Sequence, residues 1–324
     1  MTEPEIDPLI SRALEGLPSD FAGFDRVYAD TLLPELSRLE ASRSKAAAKA
    51  KQGFGYGAGI ALIGAILGFF VFGVPPLGIV AILAGLATAG VMHSDLNKVS
   101  KKAKSMMVTP IAEEFNLNYT EAPGDLGSIY DFRQASLLGG WDRQKFEDHM
   151  TGSRNGTPFE FFEAHLEVKR VRHDAKGRTR TEWVTVFRGQ CLRFQFQKEF
   201  LGRTLVARDA GFFDRFGNGH GMKVAKLEDP KFEKIFTVHT TDQVESRYLL
   251  TPDFMQRLVD LEEVFHGGGL TCAFKDGEIL ITVQGGDLFE PGSAFQPLDN
   301  PERIRELLDD FASVFHLIDS MSSQ

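Results

Sequence analysis

Glu163, His165 and Glu167 stand two residues apart in the segment PFEFFEAHLEVKR. If that segment is a strand, alternate side chains share a face, and these three share one. A histidine between two carboxylates is the closest thing to a cluster in the chain, and could mark a site. The plain alternative is a polar face turned to water. A second group, Glu245, Arg247 and Tyr248, lies in TDQVESRYLLTP. It reads as a buried ion pair with a tyrosine that fixes the following helix, and alternatively as a ligand site.

Stronger chemical signatures are absent from the sequence. Histidines at 93, 149, 165, 173, 220, 239, 266 and 316 show no metal spacing such as H-E-x-x-H. Cys191 and Cys272 lie far apart with no C-x-x-C, which excludes a disulfide framework and a thiolate zinc site. Gly217–Gly221 and Gly267–Gly269 match neither a P-loop nor a dinucleotide fingerprint. They read as a loop and a helix stop. No G-x-S-x-G elbow occurs. Catalytic, cofactor-binding and metal-binding residues are therefore all assigned as none, and no cofactor is expected. A net charge of −9 and a pI near 5.5 argue against a nucleic-acid partner. With 28 Phe against 5 Tyr, the aromatic residues read as core rather than as a binding platform.

The elements that must position these residues begin with a membrane segment. No Asp, Glu, Lys or Arg occurs between Lys51 and His93. A spanning helix needs about 20 apolar residues, so two spans fit, near 54–73 and 76–92, broken at Val74-Pro75-Pro76. Arg43, Lys45, Lys49 and Lys51 precede the first span, and Lys98, Lys101, Lys102 and Lys104 follow the second. The turn between the spans carries no charge. The positive-inside rule then puts both termini and the main domain in the cytoplasm of a two-span plasma-membrane protein. The same eight residues form a basic collar that attracts the lipid bilayer. The acidic start MTEPEIDPLI does not read as a signal peptide. Gly55 with Gly59, Gly64 with Gly68, and Ala81, Gly85 and Ala89 recur at spacing four. They predict close packing of the spans, with homo-oligomerisation through the same faces as an extension.

Segment 19–51 reads as a helix capped by Ser19 or Asp20, with a stripe at Phe21, Phe24, Tyr28, Leu32, Leu36 and Leu39. Leu96, Val99, Ala103, Met107, Ile111 and Phe115 form the matching stripe after the second span. Both spans are thus expected to continue as a paired stalk about 24 Å long on each side. Residues 120–157 read as an irregular linker with a short helix at Asp142–His149. Strands follow at PFEFFEAHLEVKR and WVTVFRGQCLRFQF, joined by a turn at HDAKGRT, and near 203–209, 222–227 and 234–239. TPDFMQRLVDLEEVF is a helix, LTCAF-KDG-EILITV a hairpin, and DNPERIRELLDDFASVFHLI a closing helix. The fold class is α+β: a helical transmembrane hairpin with a cytoplasmic stalk, then an antiparallel sheet with packed helices. The domains run 1–53 (N-terminal helix), 54–92 (hairpin), 93–119 (stalk helix), 120–157 (linker) and 158–324 (α+β domain).

FEKIFTVHTTDQVESRYLLTPDFMQRLVDLE, 232–262, and FRGQCLRFQFQKEFLGRTLVARD, 187–209, resemble the bacterial domain-of-unknown-function family 3137. The likeness runs from about 20 to 320 and includes the apolar hairpin between basic helices. It implies an anchored inner-membrane protein of unassigned chemistry and carries over no catalytic residue. The expected function is a membrane-anchored interaction or scaffold module with an unidentified protein partner. A tethered enzyme built around Glu163, His165 or Arg247 is the alternative. A channel or transporter subunit is a weaker third reading, because the spans hold no ionisable group.

Overall fold

In a computed structural model, residues 17–173, 179–208, 221–265, 269–290 and 292–322 are described. The N-terminal MTEPEIDPLI, the turn at 174–178, the glycine-rich loop at 217–220 and residues 266–268 lie outside them. The chain forms two compact units. One holds the long helices up to Ile111 together with Phe289–Ala312; the other holds Ala112–Leu288 with the C-terminal end of the chain.

The first unit is a helical hairpin. Helix α1 (Phe24–Val71) runs 48 residues and α2 (Pro75–Glu114) runs 40, both long and apolar enough to cross a membrane. At 1.5 Å per residue they measure about 72 and 60 Å. A wide π turn at Tyr28–Leu32 precedes Pro34, and another at Leu67–Val71 ends α1. Val74 N–H donates to the Gly68 carbonyl at 2.7 Å, Gly73 takes φ +62°, and Pro75 opens α2, so the break falls where the paired prolines place it. Ser19 and Asp20 do not cap α1. They belong to a separate short turn, Ser19–Phe21, and Gly23 at φ +85° redirects the chain into the helix.

Most of both stalk stripes is buried, with Leu39, Val99 and Phe115 half-buried, but they do not form a seam of two helices alone. Segment 289–312 joins the same unit, so the boundary expected at 158–324 is not respected. Tyr28 Oη donates to the Asp299 carbonyl at 3.0 Å, and Leu298 N–H donates to Glu40 at 2.8 Å. Ala294 packs against the cluster of Ala46, Ala47, Ala50 and Leu96.

The second unit is a nine-stranded sheet among the described residues, every pair antiparallel. Its order is β1-β2-β3-β4-β9-β8-β5-β7-β6. The strands are β1 (Asn118–Thr120), β2 (Arg143–Arg154), β3 (Thr157–His173), β4 (Thr179–Gln195), β5 (Thr204–Ala207), β6 (Lys223–Ala225), β7 (Thr237–Thr240), β8 (Thr271–Lys275) and β9 (Glu278–Gln284). Helices α3 (Ile129–Gln134), α4 (Pro230–Ile235), α5 (Gln243–Leu249) and α6 (Pro252–Val264) accompany it. Helix α7 (Pro301–Ser322) begins in the first unit and ends in the second. Thr251 caps α6, its hydroxyl accepting from Phe254 N–H, with Pro252 at the first turn as expected.

Residues 120–157 are not an irregular linker. Asp142–His149 expected as helix is strand β2, because Phe146, Asp148 and Met150 are its buried positions at a period of two. β3 also departs from a half-buried strand in its first half. Phe162 and Ala164 pack on one face with Phe132 and Phe146, while Phe161 and Glu163 on the other are buried as well.

Candidate functional site

Glu163 is only 4% exposed, in the middle of the phenylalanine-rich half of β3. The β3–β4 register sets it opposite Gln190. The turn after β9 closes over both. Leu288 N–H donates to Glu163 Oε1 at 2.5 Å, and Gln190 Nε2 donates to the Gly286 carbonyl at 2.6 Å. Asp148 approaches from the bulge of β2 with φ +53°, fully buried, accepting the Tyr119 hydroxyl at 2.7 Å. Burial pushes Glu163 up to about 8, opposed by the Leu288 amide and reinforced by the charges of Asp148 and Asp287. Burial, then Asp148, pushes the Tyr119 phenol up too. Asp287 is itself held by Arg188 at 2.5 Å. Under the 285–288 turn the Glu163 carboxyl thus favours its protonated form far more than an ordinary glutamate does. Its Oε2 is buried without a hydrogen-bond partner among the described residues.

His165 and Glu167 do not join it. His165 Nε2 lies 2.8 Å from the Thr185 hydroxyl, and Glu167 receives Arg143 Nε at 2.6 Å. Asp148, Tyr119 and Gln190, the real neighbours of Glu163, were not singled out from the sequence. The available signal was a pair of carboxylates, Glu160 and Glu163, set among phenylalanines in PFEFFEAHL. Among the described residues, no group of three His, Cys, Asp or Glu is placed to hold a metal ion.

Glu245 and Arg247 have backbone partners instead of each other. Glu245 sits in α5, whose N-terminus is capped by Asp242, and accepts from the amides of Leu201 at 2.8 Å and Gly202 at 2.7 Å. Arg247 is exposed and donates to the carbonyls of Gln243 and Lys226. The Tyr248 ring is exposed too, with Lys198 Nζ 4.8 Å from its centre. The expected buried ion pair is therefore replaced by a surface clasp that ties α5 to the chain after β4. Residues two apart on a helix do not face each other, so the Glu245 carboxylate takes the two adjacent amides on its own side and Arg247 the carbonyls on its own.

An open groove lies elsewhere on the sheet unit. It measures about 650 Å³, between the end of α3 and the β3–β4 ribbon beyond β2. Its lining is mixed, with Val168 and Val186 as apolar patches over the buried Leu166 and Phe187; Arg133 and Arg170 stand at its sides. Arg133 stacks 5.5 Å above the Trp141 ring, and Glu182, across the ribbon from Arg170, pairs with Arg172. Glu163 does not line this groove.

The basic collar is divided by the fold. Arg43 is buried, bound to Glu40 at 2.7 Å and donating to the Ala294 carbonyl at 3.2 Å. Lys104 is buried and paired with Glu290 at 2.9 Å. These two hold segment 289–298 and are not surface charges. Lys45, Lys49, Lys51, Lys98, Lys101 and Lys102 remain exposed, Lys49 reaching Asp95 across the hairpin at 2.5 Å.

Residues 185–323 match the family described as "Protein of unknown function (DUF3137)". The match runs from within β4 through α7, a shorter span than the resemblance noted above. No curated protein matches the chain. Among solved structures, the crystal structure of the mycobacterial trehalose monomycolate transport factor A is similar at TM-score 0.32 and 10% identity. That likeness covers 65% of this chain and 94% of that one, too distant to carry an argument.

Proposed function

We propose that this chain, whose residues 185–323 match the DUF3137 family, is a two-span membrane protein whose sheet unit is a cytoplasmic binding module. The observation that carries the anchor is the inverted polarity of the hairpin. Large apolar side chains point outward along both helices: Phe70 is 84% exposed, Phe54 74%, and Leu62, Leu83, Leu86 and Val91 are exposed as well. Gly57, Gly64, Gly68 and Gly85 face inward. A Cβ on Gly57 would overlap the Gly85 carbonyl, one on Gly64 the Ala81 methyl, and one on Gly68 the backbone of Gly78. In water the large side chains would be the buried ones. In hydrocarbon they cost nothing, and helices associate through close backbone contact at small residues.

The exposed lysines flank the apolar stretch on both sides and none lies in its turn, which supports cytoplasmic termini. The anchor is tested by an alkaline carbonate wash of membranes carrying the full chain. It should stay in the pellet and leave only with detergent; release by carbonate defeats the reading.

The partner surface we assign is the groove beside α3. Its apolar patches and two arginines suit a protein segment that alternates apolar and acidic residues, since planar guanidinium groups bind carboxylates bidentately. A labelled peptide alternating Leu and Glu should bind the detergent-solubilised chain in a salt-sensitive way. Changing Arg133 and Arg170 together to Gln should weaken it about tenfold or more, one charged hydrogen bond being worth roughly 1.5–3 kcal/mol. Equal binding by the double variant removes the groove from the account.

A further inference from the structure

Phe295 is 44% exposed, although the segment that carries it is tightly held. Arg43 donates to the Ala294 carbonyl, and Arg303 donates to the carbonyls of Ser293 and of Gln296, the latter at 2.9 Å. Ala294 packs onto Ala46, Ala47, Ala50 and Leu96. Two arginines and an apolar contact thus fix the loop, and among the described residues the large apolar side chain they leave outside is an aromatic ring. That ring faces the ends of the apolar stretch: Lys51 Nζ lies 5.9 Å and the His93 ring 6.1 Å from its centre. Lys51 is the last charged residue before the spans, and His93 is the first ionisable one after them. With Phe54, Ala89 and Gly90 these groups line a cleft of about 660 Å³ whose walls are almost wholly apolar. It opens beside Phe54 and runs into the outward apolar belt of the hairpin.

Resting on the two-span reading above, we propose that this cleft is a binding site for an anionic phospholipid of the cytoplasmic leaflet. An acyl chain lies between Phe54, Ala89, Gly90 and Phe295, and the phosphate meets Lys51. The position supports this occupant. An apolar cleft that begins at the last lysine of a span sits at the boundary of headgroups and acyl chains. There, apolar groups bury into the bilayer while basic side chains reach anionic headgroups. A surface loop that served only the stalk would have no reason to hold a phenylalanine outward at that level.

The test uses the full chain in nanodiscs containing a minority of brominated phosphatidylglycerol or brominated phosphatidylcholine. Bromine quenches a nearby tryptophan, and the unsubstituted chain, with Trp141 and Trp183, sets the background. Phe295→Trp should be quenched by both lipids, more strongly by the anionic one. One lysine near the surface enriches anionic headgroups roughly fivefold. Lys51→Gln in the same background should bring the two lipids level. Leu83→Trp, on the outward face of α2, reports on the span reading independently. Quenching at 83 but not at 295 overturns the lipid site and leaves the anchor standing. Quenching at neither position overturns both. Equal quenching at 295 by the two lipids before Lys51 is changed overturns the headgroup assignment, and with it the site as stated. A Phe295→Leu variant, which leaves Lys51 untouched, should retain at most a weakened anionic preference, read by how much phosphatidylglycerol co-purifies; unchanged co-purification would also count against the cleft.

Discussion

Glu163 holds its proton more tightly than an ordinary carboxyl because burial, with two negative neighbours, outweighs the donors that reach it, the Leu288 amide and the Gln190 side chain 3.5 Å away. Phe161 and Phe162 flank it, Asp148 and Asp287 face it, and one amide from Leu288 is too little to hold the anion. The consequence is a pH dependence with a definite sign. The folded chain binds this proton up to about pH 8, while an unfolded chain releases it near the ordinary value of 4.5. The group's contribution to stability is therefore full below 4.5 and is lost as the pH rises through 8. Thermal melts followed by fluorescence of Trp141 and Trp183, both in the sheet unit, should show the wild-type midpoint falling between pH 5 and 8. In Glu163→Gln that fall should be reduced, since the amide still accepts from Leu288 and cannot ionise. Parallel slopes would show that Glu163 is ionised in the folded state. In the sequence, Glu163 and its strand were legible, but its company was not. Tyr119, Asp148, Gln190 and Leu288 come from three other strands and a turn, and only the sheet register brings them together. His165 and Glu167 share the right face, but β4 and β2 offer them nearer partners.

Among the elements, the hairpin separates glycines that look alike in sequence. Gly57, Gly64, Gly68 and Gly85 sit in the seam, whereas a Cβ on Gly55 or Gly59 would meet open space. Spacing alone selected Gly64, Gly68 and Gly85 correctly, but also chose Gly55 and Gly59 and passed over Gly57. Which side of a helix faces its neighbour depends on the rotation of the pair, and a run with small residues on several sides does not fix it. Gly57→Leu should destabilise the hairpin by about 1–3 kcal/mol or more through overpacking, and Gly55→Leu by less than about 0.5 kcal/mol. Melting of the detergent-solubilised variants, with elution on size exclusion, would compare them. Equal behaviour would mean that the seam does not lie at Gly57. Strand β2 was missed for a related reason. Its inward positions read Phe146, Asp148, Met150, and a charged residue in the middle hides the alternation. The apolar pair that remains, Phe146 and Met150, lies four apart and then imitates a helical face. The hairpin of β8 and β9 was plain because Asp276-Gly277 supplies the two positive φ angles that a tight turn between strands requires.

For the molecule as a whole, the division of the chain could not be read from linear order. Segment 289–312 follows nine strands in sequence yet belongs with the helices, tied to Tyr28, Glu40, Arg43 and Lys104, residues more than 180 positions away. Those ties also reassign two of the eight collar charges, so a test of the collar should change Lys101 and Lys102 and leave Lys104 alone. The central claim is that Phe54–Met92 crosses a bilayer twice and leaves both termini inside. Single-cysteine labelling with a membrane-impermeant maleimide tests it most directly, against a low background because Cys191 and Cys272 are buried. His316 is a better C-terminal position than Ser322, being exposed where Ser322 is buried. The turn offers Phe72, 65% exposed. Phe72→Cys should be labelled on intact expressing cells, and His316→Cys only after the membrane is permeabilised. Labelling of His316→Cys from outside, or a Phe72→Cys that reacts only after permeabilisation, would contradict the account.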